Sequence, residues 1–144
     1  RRPPRSTLFP TRRSSDLKQT NNNRKILITE DDLSNFDYLK ILLSREGFQI
    51  LHAWTGLEAV QTIKANPDIA LVFMDLKLTV MDGYQATREI KSLYPDLPVI
   101  ALTAFALSGD KAKAISAGCD EYITKPVEAK KILETVNRYI LIQR

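Results

Sequence analysis

Cysteine and histidine each occur once in the 144 residues, as Cys119 and His52. One thiol cannot form an intramolecular disulfide, and one histidine with one cysteine cannot build a Cys/His zinc cluster. No apolar run approaches the roughly 20 residues needed to cross a bilayer. No apolar segment follows the basic amino-terminal stretch, as a secretory signal would require. A membrane segment and transition-metal chemistry are therefore not expected, and the expected location is cytoplasmic. The remaining composition, 44% hydrophobic and 26% charged, suits one globular domain large enough to bury a core.

A formal charge of +4 would ordinarily suggest an acidic partner such as nucleic acid. The excess is confined to one end. Residues 1–17 hold Arg1, Arg2, Arg5, Arg12 and Arg13 against Asp16 alone, and the remainder carries 16 basic and 16 acidic residues. RRPPRSTLFPTRRSSDLKQTNNN has no helical or strand period and cannot pack a core. Residues 1–23 are expected to be a disordered basic tail or linker. Its PPRSTLFP and RRSSDL pieces look like translated adapter sequence, so a non-native extension is weighed beside a native one. Residues 24–144 are expected to fold, and this near-neutral part is not expected to bind nucleic acid directly.

From Arg24 onward short apolar runs alternate with longer amphipathic stretches. KILIT (Lys25 to Thr29) reads as a buried strand, and Asp32 caps a helix with Phe36, Leu39, Leu42 and Leu43 on one face, ended by Gly47. FQILHA (Phe48 to Ala53) reads as a second strand. A short helix follows, with Leu57, Val60 and Ile63 inward and Pro67 beyond its end. IALVFM (Ile69 to Met74) is the most continuously apolar run, the best candidate for the centre of a sheet covered on both faces. Asp82 and Gly83 open a third helix. PVIALT (Pro98 to Thr103), a helix near Ser108 to Ala117, DEYIT and a last helix from about Glu128 to Ile142 complete five βα units. Alternation of this kind argues for a parallel α/β sheet with helices on both faces, and for a ligand site outside the carboxyl ends of the strands.

Polar residues collect at that edge. Strand 1 leads into Glu30, Asp31 and Asp32, strand 3 into Asp75, strand 4 ends in Thr103, and strand 5 runs into Lys125 and Pro126. Crowded carboxylates repel one another unless a cation sits among them. An oxygen-rich site of this sort suits Mg²⁺. Lys125 and Thr103 add a positive charge and a hydroxyl donor of use to a phosphoryl group.

KILITEDD, LVFMDLKLTVMDGYQATREI, VIALTA and DEYITKP, taken in order, resemble the receiver domain of two-component response regulators, most closely the C-terminal receiver of a hybrid histidine kinase. The resemblance runs from about Arg24 to Ile142. It implies a doubly wound five-stranded parallel sheet in the flavodoxin-like order 2-1-3-4-5. It implies Asp75 as the acceptor of a phosphoryl group from a histidine kinase or histidine phosphotransfer protein in a phosphorelay that switches a protein contact surface. Glu30, Asp31, Asp75 and the backbone carbonyl of Lys77 would hold Mg²⁺. Thr103 would be the switch hydroxyl, Tyr122 the switch aromatic, Lys125 the phosphate-pairing cation, and Lys125–Pro126 a cis peptide. Lys77 and Phe105 would flank the water that hydrolyses the aspartyl phosphate, gating a slow autodephosphorylation. Thr79 stands where the family usually has proline. The isolated chain is expected not to be an enzyme and to be a monomer or weak dimer, either a stand-alone regulator or part of a hybrid kinase.

Other readings compete. DLKLT (Asp75 to Thr79) resembles in outline the DxDxT motif of haloacid-dehalogenase-like phosphatases, but Lys77 stands where that family needs its second aspartate. A flavodoxin-like cofactor module would need a Ser/Thr/Gly-rich phosphate loop after strand 1, where this chain has EDDLSN. Asp32 and Asp82 read as helix caps, His52 as a partly exposed strand residue, Cys119 as a small buried one, and Trp54 as a loop aromatic near the surface.

Overall fold

The computed structural model describes residues 24–78, 81–104 and 109–141. The basic tail, Thr79 and Phe105 lie outside them. Five strands, β1 (Lys25–Thr29), β2 (Gln49–Ala53), β3 (Ile69–Asp75), β4 (Val99–Thr103) and β5 (Glu121–Thr124), pair in parallel in the order 2-1-3-4-5. Crossovers run through α1 (Leu33–Ser44), α2 (Gly56–Ala65), α3 (Gly83–Leu93) and α4 (Asp110–Ala117). The last helix is α5 (Ala129–Val136), continued by a π-helical turn at Asn137–Leu141.

Because strand side chains alternate, the sheet divides the core in two. Ile26, Ile28, Leu71, Phe73, Ile100 and Leu102 face α1 and α5, where Phe36, Leu39, Leu43, Ile132 and Val136 cover them. Leu27, Val72, Met74, Val99 and Ala101 face the opposite way, under Ala59, Val60, Ile63, Ile90 and Ala114 from α2, α3 and α4. β3 contributes to both faces, so its continuous apolar run follows from its central place.

Local chemistry sets most boundaries. The side chain of Asp32 accepts from Asn35 N–H at the start of α1, Thr55 from Glu58 N–H at α2, and Asp82 from Gln85 N–H at α3. α1 stops at Ser44 with Arg45 as its C-cap, before Gly47. Gly47 instead takes φ 93° in the following turn, a conformation in which a side chain is strained. Leu57 does not face inward; it is exposed, and Gly56 and Ala59 occupy the inner face with Val60 and Ile63. The cause is a close approach, since a Cβ on Gly56 would collide with the carbonyl oxygen of Met81. That contact turns the small residues, rather than Leu57, against the loop after β3. The last helix departs from α geometry at Asn137.

Candidate functional site

Asp75 is the final residue of β3, at the strand end where the sequence reading places it, and lies in register with Leu102 of β4. It is almost fully buried. Behind it, α3 begins at Gly83 with no room for a side chain. A Cβ there would lie 2.5 Å from the Asp75 carbonyl oxygen and 2.7 Å from the Leu76 Cα. Asp75 Oδ1 accepts the Lys77 backbone N–H at 2.9 Å, and Oδ2 receives the Lys125 ammonium at 3.3 Å. Both carboxylate oxygens therefore have fixed directions.

Glu30 follows β1 directly, and its side chain is as buried as the core. Its Oε1 accepts from Lys125 Nζ at 2.7 Å and its Oε2 from Asp32 N–H at 3.2 Å. Burial pushes the Glu30 carboxyl up to about 7; the hydrogen bond from Lys125 opposes the rise and neighbouring Asp75 adds to it. Burial works against the Lys125 ammonium as well, but Glu30 and Asp75 outweigh it and hold its pKa above the ordinary lysine value. Exposed Asp31 joins the group, with one oxygen of each of Glu30, Asp31 and Asp75 lying within 4.8 Å of one another. Three carboxylates face one ammonium, so the cluster carries an excess of negative charge on hard oxygen donors. That donor set fits a small divalent cation.

The strand ends bring the other expected residues to the same edge. Thr103 is buried at the end of β4, and its carbonyl accepts the Lys125 N–H at 2.7 Å, tying β4 to the turn after β5. The Lys125–Pro126 peptide is cis. Tyr122 packs against the core on the α2–α4 face, and its buried hydroxyl meets no hydrogen-bond partner among the described residues. Asp32 and Asp82 act as helix caps. Cys119 is buried beside Thr87, and Trp54 is exposed.

Two features escape sequence reading. A cavity of about 330 Å³ opens beside Glu30 and Lys125, walled by Asn35, Tyr38 and Leu39 of α1 and by Pro126 and Val127. His52 is more than a strand residue: its Nε2 lies 2.8 Å from the Glu30 carbonyl oxygen and its ring stacks on Phe36. The alternating pattern of β2 places His52 on a face, but the contact depends on the β1–β2 register, Ile28 opposite His52.

The family profile of the response regulator receiver domain matches residues 26–137, and the chain belongs to that family: it is a receiver domain of two-component systems. The polar-differentiation response regulator DivK of Brucella ovis is 32% identical over 120 residues, which cover 81% of this chain and 96% of DivK. Hybrid signal transduction histidine kinase I of Dictyostelium discoideum is 32% identical over 125 residues, 81% of this chain. The chain spans only 7% of that kinase, and 19% of the two-component system protein A of Emericella nidulans. Among solved structures, the receiver domain of sensor histidine kinase PA1611 from Pseudomonas aeruginosa, with magnesium coordinated in its active-site cleft, superposes with a TM-score of 0.75. It is 33% identical, over 81% of this chain and 96% of that one. The receiver of Saccharomyces cerevisiae Ssk1, in complex with the phosphotransfer protein Ypd1, gives a TM-score of 0.78 at 29% identity, over 84% of this chain and 91% of that one. The phosphatase and flavodoxin alternatives give way to this family. Among the described residues no helix is long and apolar enough to cross a membrane.

Proposed function

We propose that Asp75 accepts a phosphoryl group from a phosphohistidine of a histidine kinase or histidine phosphotransfer protein. A carboxylate oxygen of Asp75 forms the new bond to phosphorus while the phosphorus–nitrogen bond breaks, and the electron pair returns to the donor imidazole. The observation that carries this reading is the position of Asp75: a buried carboxylate at the end of the central strand, with Lys125 3.3 Å from Oδ2. Phosphoryl transfer asks a protein mainly for positioning and charge stabilisation. The strand and Gly83 fix the nucleophile, and Lys125 is poised to neutralise the arriving oxygens.

Glu30, Asp31 and Asp75, with the Lys77 carbonyl, are the residues that would hold Mg²⁺; when bound, the ion offsets charge on the phosphoryl oxygens. The magnesium in the PA1611 receiver supports this assignment. In this reading Thr103 is the switch hydroxyl and Tyr122 the switch aromatic. The chain is a phosphoacceptor rather than an enzyme with its own substrate, acts in the cytoplasm as a monomer or weak dimer, and folds from about residue 24, where β1 is about to begin.

A protein donor fits the surroundings of the site. Tyr38 of α1 is exposed and lines the cavity, and Leu33 and Ile41 of the same helix are exposed as well, the composition of a protein contact surface. The complex of Ssk1 with Ypd1 supports a partner of this kind.

The test is treatment of the purified chain with acetyl phosphate and Mg²⁺, followed by intact mass measurement. One phosphoryl group should be added, and Asp75→Asn should abolish it. An unchanged yield in Asp75→Asn would remove Asp75 from the role.

A further inference from the structure

We infer that His52 is a positioning residue for the acidic site: its Nε2–H donates to the Glu30 carbonyl and thereby fixes the peptide unit joining the two acidic residues Glu30 and Asp31. This rests on the reading of those residues as magnesium ligands.

A backbone carbonyl can only accept, so the 2.8 Å contact requires a proton on His52 Nε2. Two aromatic neighbours hold the ring. It stacks on Phe36 of α1, with centroids 3.7 Å apart and planes 12° apart, and it also contacts Trp54, with centroids 4.4 Å apart and a tilt of 42°. Phe36 belongs to the core, so the stack is anchored.

The location gives the bond its consequence. Regular pairing of β1 with β2 ends at Thr29 opposite Ala53. Beyond it Glu30 N–H still donates to the Ala53 carbonyl at 3.0 Å, but the Glu30 carbonyl is past the end of the ladder. His52 supplies the missing donor. Glu30 is thus tied to β2 through both its backbone groups, and rotation of the 30–31 peptide plane is blocked. That plane sets where the Asp31 side chain projects relative to Glu30 and Asp75. Asp31 is exposed, unlike the buried Glu30, so packing constrains it less. The donor also brings a partial positive charge to a loop of three successive acids, Glu30, Asp31 and Asp32.

Two substitutions separate the donor from the ring. His52→Phe keeps an aromatic ring in contact with Phe36 and Trp54 but has no N–H, whereas His52→Gln loses the ring and keeps an amide donor. Magnesium dissociation constants are measured calorimetrically on the full chain, with Glu30→Gln as the control. Melting temperatures and the Asp31 amide resonance are recorded without metal. Loss of one hydrogen bond that orders a ligand should weaken Mg²⁺ binding about three- to tenfold in His52→Phe. His52→Gln should stay within about twofold of wild type, as expected if one donor replaces another. The Asp31 amide should shift in the phenylalanine variant and less in the glutamine variant, whichever of the two melts lower. That resonance needs no metal and decides the matter if affinity is hard to read. Weakening that follows the ring, or no weakening in His52→Phe while Glu30→Gln binds poorly, overturns the role of His52 alone. Undiminished binding in Glu30→Gln overturns the acidic site itself, and the inference with it.

Discussion

Lys125 lies closer to Glu30 than to Asp75, 2.7 Å against 3.3 Å, so the cation of the site is shared and leans toward the carboxylate that is not the proposed nucleophile. Both acids are buried, and removing their counter-charge leaves them uncompensated. Lys125→Ala should lower stability by about 1–3 kcal/mol in metal-free buffer, read as a fall of several degrees in melting temperature. Magnesium should recover much of the loss by neutralising the same oxygens. An unchanged melting curve in chelator would mean that the ion pair does not stabilise the fold.

Gly83 is the neighbour that Asp75 cannot lose. Alanine there would push against backbone atoms of Asp75 and Leu76, which cannot swing aside as a flexible side chain would. Gly83→Ala should cost about 2 kcal/mol or more through overpacking and slow phosphorylation by acetyl phosphate, because the strand end itself must shift. Wild-type melting and phosphorylation in this variant would show that the helix start yields instead.

Much of this arrangement is legible from residue pattern because strand ends, caps and turn residues are local. The runs around Leu27, Phe73 and Ile100 define the strands, and Asp32 and Asp82 cap helices as their spacing suggests. What stays hidden depends on partners distant in sequence. Leu57 has the right helical spacing to face inward, yet the carbonyl of Met81 takes the inner face at Gly56. The link from His52 to Glu30 joins two strands across 22 positions. The turn of the last helix into π geometry at Asn137 has no marker that periodicity can register.

Burial pushes the Cys119 thiol up to about 11, opposed by its contact with Thr87. The native thiol should therefore resist disulfide reagents at pH 8 and react fully once the chain is unfolded. A pKa above its unfolded value of 9 means that the associated stability is complete below pH 9 and is lost as pH rises toward 11. Denaturant unfolding from pH 8 to 11 should show a smaller alkaline loss in Cys119→Ala than in wild type. Parallel curves would sink the assignment.

The lifetime of a phosphorylated Asp75 should be long. At the two positions expected to flank the attacking water, Lys77 and Phe105 offer neither a carboxylate nor an amide side chain to orient it. Phosphate release after donor removal should be several-fold faster in a Lys77→Asn, Phe105→Glu double variant. Equal or slower release in the variant would show that these residues do not gate the water.

The direction of the chain through the sheet bears on how the domain can be handled. β1 sets out from Lys25 at the edge away from the acidic cluster, and after Pro126 the last helix runs back to that edge. There Tyr139 donates to the Asp120 carbonyl and Arg138 pairs with Glu121, at the foot of β5. Both points of attachment, near residues 24 and 141, are therefore on the side remote from Asp75. A fluorescent protein, an affinity handle or an immobilising linker can be joined at either without shadowing the reactive face, so surface-tethered measurements of partner binding can be made in both orientations.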